Sequence, residues 1–316
     1  MGCNLDFMYV YQNPTPIVID LSGEDGFELR KKALAFVEKL KVRGKESGSS
    51  EEQTYGVLAQ MAIRQKLGLP IELEENQGIG FDLLLPPGVK VDIKCRGGTL
   101  PFKENYVGSG GLEREAKHNF FARQLVDARL ETDIYLMTHL ETPKPMTRGK
   151  TPLPGTPRQR KWILYVCGWV SKIRVKNEGV YLPRGAITEQ GGKWFPYRGQ
   201  EVEFYNRYLN GLRELKDILS IDFKDVEKDA KEPMHLHLTS VDAIRIGIDL
   251  VGYGIINKET LDFLKHKLEI KGDVPPILNP NQYHRLLKWL ETQGKVDKKA
   301  ISNLTEIMKE VEYKGD

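Results

Sequence analysis

Residues 80–96 read GFDLLLPPGVKVDIKCR, and the pattern in this stretch decides the fold. Asp82 opens a short apolar run that ends at Leu85. Pro86-Pro87-Gly88 then turns the chain. From Val89 to Lys94 apolar and polar residues alternate, as on the return strand of a hairpin. The two-residue period puts the side chains of Asp92 and Lys94 on one strand face. Asp82, near the start of the partner strand, can reach the same point. Two carboxylates beside one lysine suit a hard divalent cation such as Mg2+, held through a few oxygens with water completing the shell. The backbone carbonyl of Ile93 is placed to add one more oxygen. The lysine can then orient or deprotonate an attacking water, or stabilise charge on a phosphate. Hydrolysis of a phosphodiester is the task that fits. An isolated Asp-x-Lys triplet is commonly a solvated hairpin face with an ion pair, so the surrounding order of elements carries the weight.

Working outward, the periodicity predicts a helix from Glu24 to Lys41 and a second from about Ser50 to Leu67, closed by Gly68 and Pro70. After the hairpin comes a predicted helix from about Leu112 to Leu130. Asp133 to Leu140 and Trp162 to Val175 read as interior strands, joined by a long basic, Pro-rich loop from Thr142 to Lys161. A helix, an Asp-bearing strand, a tight turn, the Asp-x-Lys strand and a further helix form an ordered set.

This set, carried by residues 80–96, resembles the PD-(D/E)XK nuclease superfamily over about residues 50–175. The resemblance implies an α/β chain with a restriction-endonuclease-like mixed central sheet flanked by helices. It implies a metal-dependent DNA endonuclease in which Asp82 and Asp92 hold Mg2+ (Mn2+ as a substitute) and Lys94 assists catalysis, leaving a 5′-phosphate. Phe81 stands where the superfamily's name places Pro. The family often adds a helix-borne Glu. Glu52 is the candidate here, with Glu51 beside it and Gln60 at the position where a Gly-x-x-Ala-Glu pattern would end. A polar residue on the helix after the Asp-x-Lys strand is also usual, and Gln124 is its candidate. Arg123 and His118 are candidate phosphate contacts. A Holliday junction or branched-DNA resolvase is the closest alternative, and a homodimer would suit either enzyme. A non-catalytic nucleic-acid-binding or interaction protein on a nuclease fold is the other.

The net charge of +3 over 316 residues hides an asymmetry. The first 210 residues carry about +5 and the remainder about −2. Between Glu141 and Glu178 there is no acidic residue. This interval holds the candidate DNA contacts Lys144, Arg148, Lys150, Arg158, Arg160 and Lys161, whose charges would steer a polyanion towards the catalytic edge. Trp162, Trp169, Trp194, Phe195 and Tyr197 are candidates for stacking on bases, although packing is the commoner role of such aromatics.

The composition divides the chain into a nuclease-like domain at 1–220, a linker at 221–238 and a helical accessory domain at 239–316. The last contains a repeat at an offset of 40 residues, LVGYGIINKETLDFLKHKLE at 250–269 and LETQGKVDKKAISNLTEIMK at 290–309. Each copy reads as a helical hairpin, with Gly ending one helix and Asn or Asp capping the next. His235 and His237 share a strand face but have no Cys or His companions. No GxxxxGK[ST] loop is present, which argues against a nucleotide cofactor. No apolar run approaches the ~20 residues of a membrane helix. With three scattered cysteines and an opening that lacks a basic-then-apolar leader, a cytoplasmic chain is expected.

Overall fold

A computed structural model describes residues 14–42, 50–73, 80–98, 105–107, 113–115, 117–127, 129–143, 161–190, 193–197, 199–232, 240–268 and 280–310. The chain is mixed α/β. Strand β1 (Ile17–Asp20) leads into helices α1 (Glu24–Val42) and α2 (Ser50–Lys66). The expected hairpin follows as β2 (Leu83–Leu84) and β3 (Lys90–Gly98), paired antiparallel with Leu83 opposite Val91. Short strands β4 (Asn105–Val107) and β5 (Glu113–Glu115), then β6 (Lys117–Phe121) and helix α3 (Ala122–Val126), lead to β7 (Ile134–Glu141) and β8 (Ile163–Ser171). The five strands of the main sheet run in the order β1-β8-β7-β3-β2. Only β3 and β7 pair in parallel, so the sheet is mixed.

The two faces of this sheet bury different cores. On one face Val91, Ile93, Ile134, Leu136 and Leu164 pack against α1 and α2 through Leu29, Ala33, Leu58, Ala62 and Ile63. On the other, Tyr135, Met137 and Val170 meet Phe120, Leu125 and Val175. This second layer includes α4 (Lys172–Glu178) and the sheet β6-β12-β9, built with β9 (Val180–Leu182) and β12 (Glu201–Tyr205). A separate ribbon pairs β10 (Ile187–Gln190) with β11 (Lys193–Pro196).

Three readings from the sequence need correction. The stretch 112–130 is not one helix but β5, β6 and the five-residue α3. The strand expected to run to Val175 stops at Ser171, whose Oγ accepts the Arg174 N–H at 3.1 Å and caps α4. The stretch 221–238, read as a linker, begins with helix α5 (Phe223–Ala230), which packs on β8 and α4. Its Asp229 is buried, pairing with Arg174 at 2.8 Å and accepting the Ser171 N–H at 2.7 Å. Residues 233–239, which include His235 and His237, lie outside the described residues.

The C-terminal helices are α6 (Ser240–Gly252), α7 (Lys258–Leu268), α8 (Pro280–Thr292) and α9 (Lys299–Glu310). The repeat is visible in the backbone. Gly254 and Gly294 take the same left-handed conformation, φ +68° and +66°. Asn257 Oδ1 then accepts the Thr260 N–H, and Asp297 Oδ1 accepts the Lys299 N–H, both at 2.8 Å. Leu250, Ile256, Leu264, Leu290, Ile301 and Leu304 share one core, so the two hairpins pack on each other. Helix α8 also lies against β9 and β10. At this junction the Arg285 guanidinium sits 4.0 Å from the Tyr205 ring centroid and donates to the Tyr208 hydroxyl. Among the described residues no helix is long and apolar enough to cross a membrane.

Candidate active site

The hairpin brings Asp82 and Asp92 together at one edge of the main sheet. Asp82 lies one residue beyond the Leu83–Val91 pair, which places it across from Asp92. Its N–H donates to the Val91 carbonyl at 2.7 Å, and its Oδ2 accepts the Ile93 N–H at 2.7 Å. Loss of solvent and the neighbouring Asp92 charge push the Asp82 carboxyl up to about 7, while the Ile93 N–H, Lys94 and Arg64 pull the other way. Lys94 Nζ is 2.8 Å from Asp92 Oδ2. The same ammonium lies 5.6 Å from the centroid of the Tyr135 ring. The Tyr135 hydroxyl is held well above the usual phenol range by burial and by Asp92.

A close approach of backbones positions this edge. Gly80 has φ +88°, and a Cβ there would lie 2.7 Å from Leu130 Cα. The Thr132 hydroxyl donates to the Gly80 carbonyl. Asp133 closes the same corner, its Oδ2 accepting the Lys90 N–H at 2.8 Å. Arg64, in the last turn of α2, donates from Nη1 to the Asp82 carbonyl at 3.0 Å.

The donor set fits a hard divalent cation. Asp82 and Asp92 offer carboxylate oxygens, and a dication would relieve both causes that raise Asp82. Ile93 turns its N–H towards Asp82, and in a strand the carbonyl of that residue faces the same side. The next carbonyl, of Lys94, faces the other way and accepts the Thr138 hydroxyl at 3.0 Å. The Ile93 carbonyl therefore belongs to the Asp82 edge. Among the described residues no group of three or more His, Cys, Asp and Glu gathers into a metal cage. Water and substrate oxygens would complete the shell, as is usual for Mg2+.

The remaining candidates fall elsewhere. Glu52 is not brought to the pair. Helix α2 runs past β3 with its first turn at the far end, where the Tyr55 ring lies on Gly97, and its last turn at Asp82. Twelve residues separate Glu52 from Arg64, about 18 Å along a helix. Gln60 is buried on the same helix. Gln124 turns back on its own chain, its Oε1 accepting the Phe121 N–H at 3.2 Å. His118 is buried on β6 between Asn206 Oδ1 at 2.9 Å and the Thr138 carbonyl at 2.8 Å, so it faces no phosphate. Burial pushes its imidazole down to about 4. Trp169 and Tyr197 are core residues, and Trp162 is half-buried under the Arg30 guanidinium, 5.0 Å from its ring centroid. Arg123 and Lys161 are exposed. Lys144, Arg148, Lys150, Arg158 and Arg160 lie outside the described residues, as do the side chains of Trp194 and Phe195. The sequence reading singled out neither Arg64 nor Lys172. A basic residue at the end of the preceding helix, and one directly after an interior strand, were the available signals.

No protein-family model, curated protein or solved structure matches this chain.

Proposed function

We propose that the chain is a metal-dependent DNA endonuclease with a restriction-endonuclease-like core. The observation that carries this reading is the convergence of Asp82 and Asp92 beside Lys94 at the edge of a mixed sheet. Asp82, Asp92 and the Ile93 carbonyl would hold Mg2+. When bound, the ion would supply Lewis-acid stabilisation of the phosphate and activation of water. Lys94, oriented by Asp92 at 2.8 Å, presents its ammonium where an attacking water or a developing phosphorane charge would sit. Tyr135 backs that ammonium with an apolar, electron-rich face. Arg64 fixes the Asp82 backbone from the helix side. The acid-free segment and the +5 balance of the first 210 residues favour a polyanionic substrate.

The test is nicking of supercoiled plasmid with Mg2+ or Mn2+ by the full chain, set beside Asp92→Asn and Lys94→Ala. Both variants should keep the wild-type circular dichroism spectrum and lose cleavage. Wild-type-level nicking by either one overturns these roles.

A further inference from the structure

We propose that Lys172 is a substrate-positioning residue, whose ammonium takes a non-bridging phosphate oxygen of the DNA strand beside the scissile bond. This rests on the nuclease reading above. The argument begins with place. Asp92, Tyr135 and Val170 stand in one row across β3, β7 and β8, and Lys172 follows Val170 by two residues. Its N–H donates to the Asp133 carbonyl at 2.9 Å, and its Nζ donates to the Leu130 carbonyl at 2.7 Å. The turn from Leu130 to Asp133 is the one that packs on Gly80 and grips Lys90. Lys172, Asp82 and Asp92 are therefore arranged around a single corner of the sheet.

The second point is availability. Lys94 is already paired with Asp92. Among the described residues no carboxylate comes within ion-pair distance of the Lys172 ammonium, and its side chain makes one hydrogen bond, to Leu130. An ammonium has three donors, so two remain. Burial lowers the Lys172 ammonium from its ordinary range, and the charges of Asp127, Asp92 and Asp133 oppose that. A half-buried cation, anchored by one donor and without a carboxylate partner among the described residues, is suited at this acidic corner to a phosphodiester, which brings two non-bridging oxygens that share a negative charge.

The experiment measures DNA affinity by fluorescence anisotropy at a series of salt concentrations without divalent metal, and steady-state cleavage with Mg2+, for wild type, Lys172→Gln and Lys172→Arg. Loss of one phosphate contact predicts that Lys172→Gln lowers the slope of log affinity against log salt by about one and raises KM about tenfold with kcat nearly kept. Lys172→Arg should restore both. A merely structural lysine would lower the melting temperature and leave slope and KM unchanged, and that result overturns the proposal. If wild type binds DNA but never cleaves it, the nuclease reading fails while the salt slope still decides the role of Lys172. If wild type neither binds nor cleaves, both are overturned.

Discussion

The Asp82 carboxylate accepts the amide hydrogen of Ile93 at 2.7 Å, on the strand whose next residue is Lys94 and whose previous residue is Asp92. A side chain from one strand thus completes the ladder of its neighbour while its charge faces a second carboxylate. The raised Asp82 pKa means that the folded chain holds this proton more tightly than the unfolded chain does. Its contribution to stability is therefore present below the ordinary carboxylate range and is lost as pH rises through about 7. At pH 8 without metal, Asp82→Asn should raise the melting temperature by about 3 °C. Magnesium should then stabilise wild type and leave Asp82→Asn unmoved. A lower melting temperature for the variant at pH 8 would contradict the charge argument.

Gly80 offers a way to disturb the corner without changing Asp82 or Asp92. A methyl group there meets Leu130 backbone at 2.7 Å and must be carried at φ +88°. Gly80→Ala is expected to cost about 1–3 kcal/mol by urea titration and to weaken Mg2+ binding in calorimetry, because Asp82 moves with the backbone.

Acid should loosen the junction between the C-terminal helices and the rest of the chain. His284 on α8 is fully buried, and neither ring nitrogen has a hydrogen-bond partner among the described residues. Burial pushes it down to about 4, against the opposing pull of Glu203. The folded state therefore binds fewer protons than the unfolded state between about 6.5 and 4. Stability falls as pH drops through that window, by on the order of 3 kcal/mol for this residue. His118, lowered to about 4 as well, acts in the same sense. The urea midpoint of His284→Leu should fall less steeply with acid than that of wild type, and parallel curves would refute the assignment.

Buried and exposed ion pairs should separate clearly. Asp229 Oδ1 accepts from Arg174 at 2.8 Å and from Asn210 at 2.6 Å, while Oδ2 accepts the Ser171 N–H. Asp229→Ala leaves a buried guanidinium and a buried amide short of partners, and is expected to cost about 3–5 kcal/mol in denaturant unfolding. Glu227→Ala, two residues away, removes an exposed contact of 3.9 Å to Lys231 and should cost less than about 0.5 kcal/mol.

Much of the fold was legible because its signals are local. The alternation from Val89 to Lys94 located the hairpin, and the Gly and Asn or Asp repeats located the helical turns. The stretch 112–130 was misread because Lys117 and His118 look like a solvent face. In the structure both are buried, satisfied by Glu203 and Asn206, which lie 86 and 88 residues further on. Local periodicity cannot anticipate partners at such separations. The geometry of the candidate site was legible where it rests on one hairpin. Glu52 was misplaced because its reach depends on the direction in which α2 crosses β3, and Lys172 was overlooked because a corner made by four elements leaves no motif.

The burial of Asp229 under β8 also limits how far the α/β part can be shortened. A chain ended at residue 220, where the composition shifts, would shed α5 and with it the partner of Arg174, Ser171 and Asn210. A piece that keeps these contacts must therefore extend at least through Ala230.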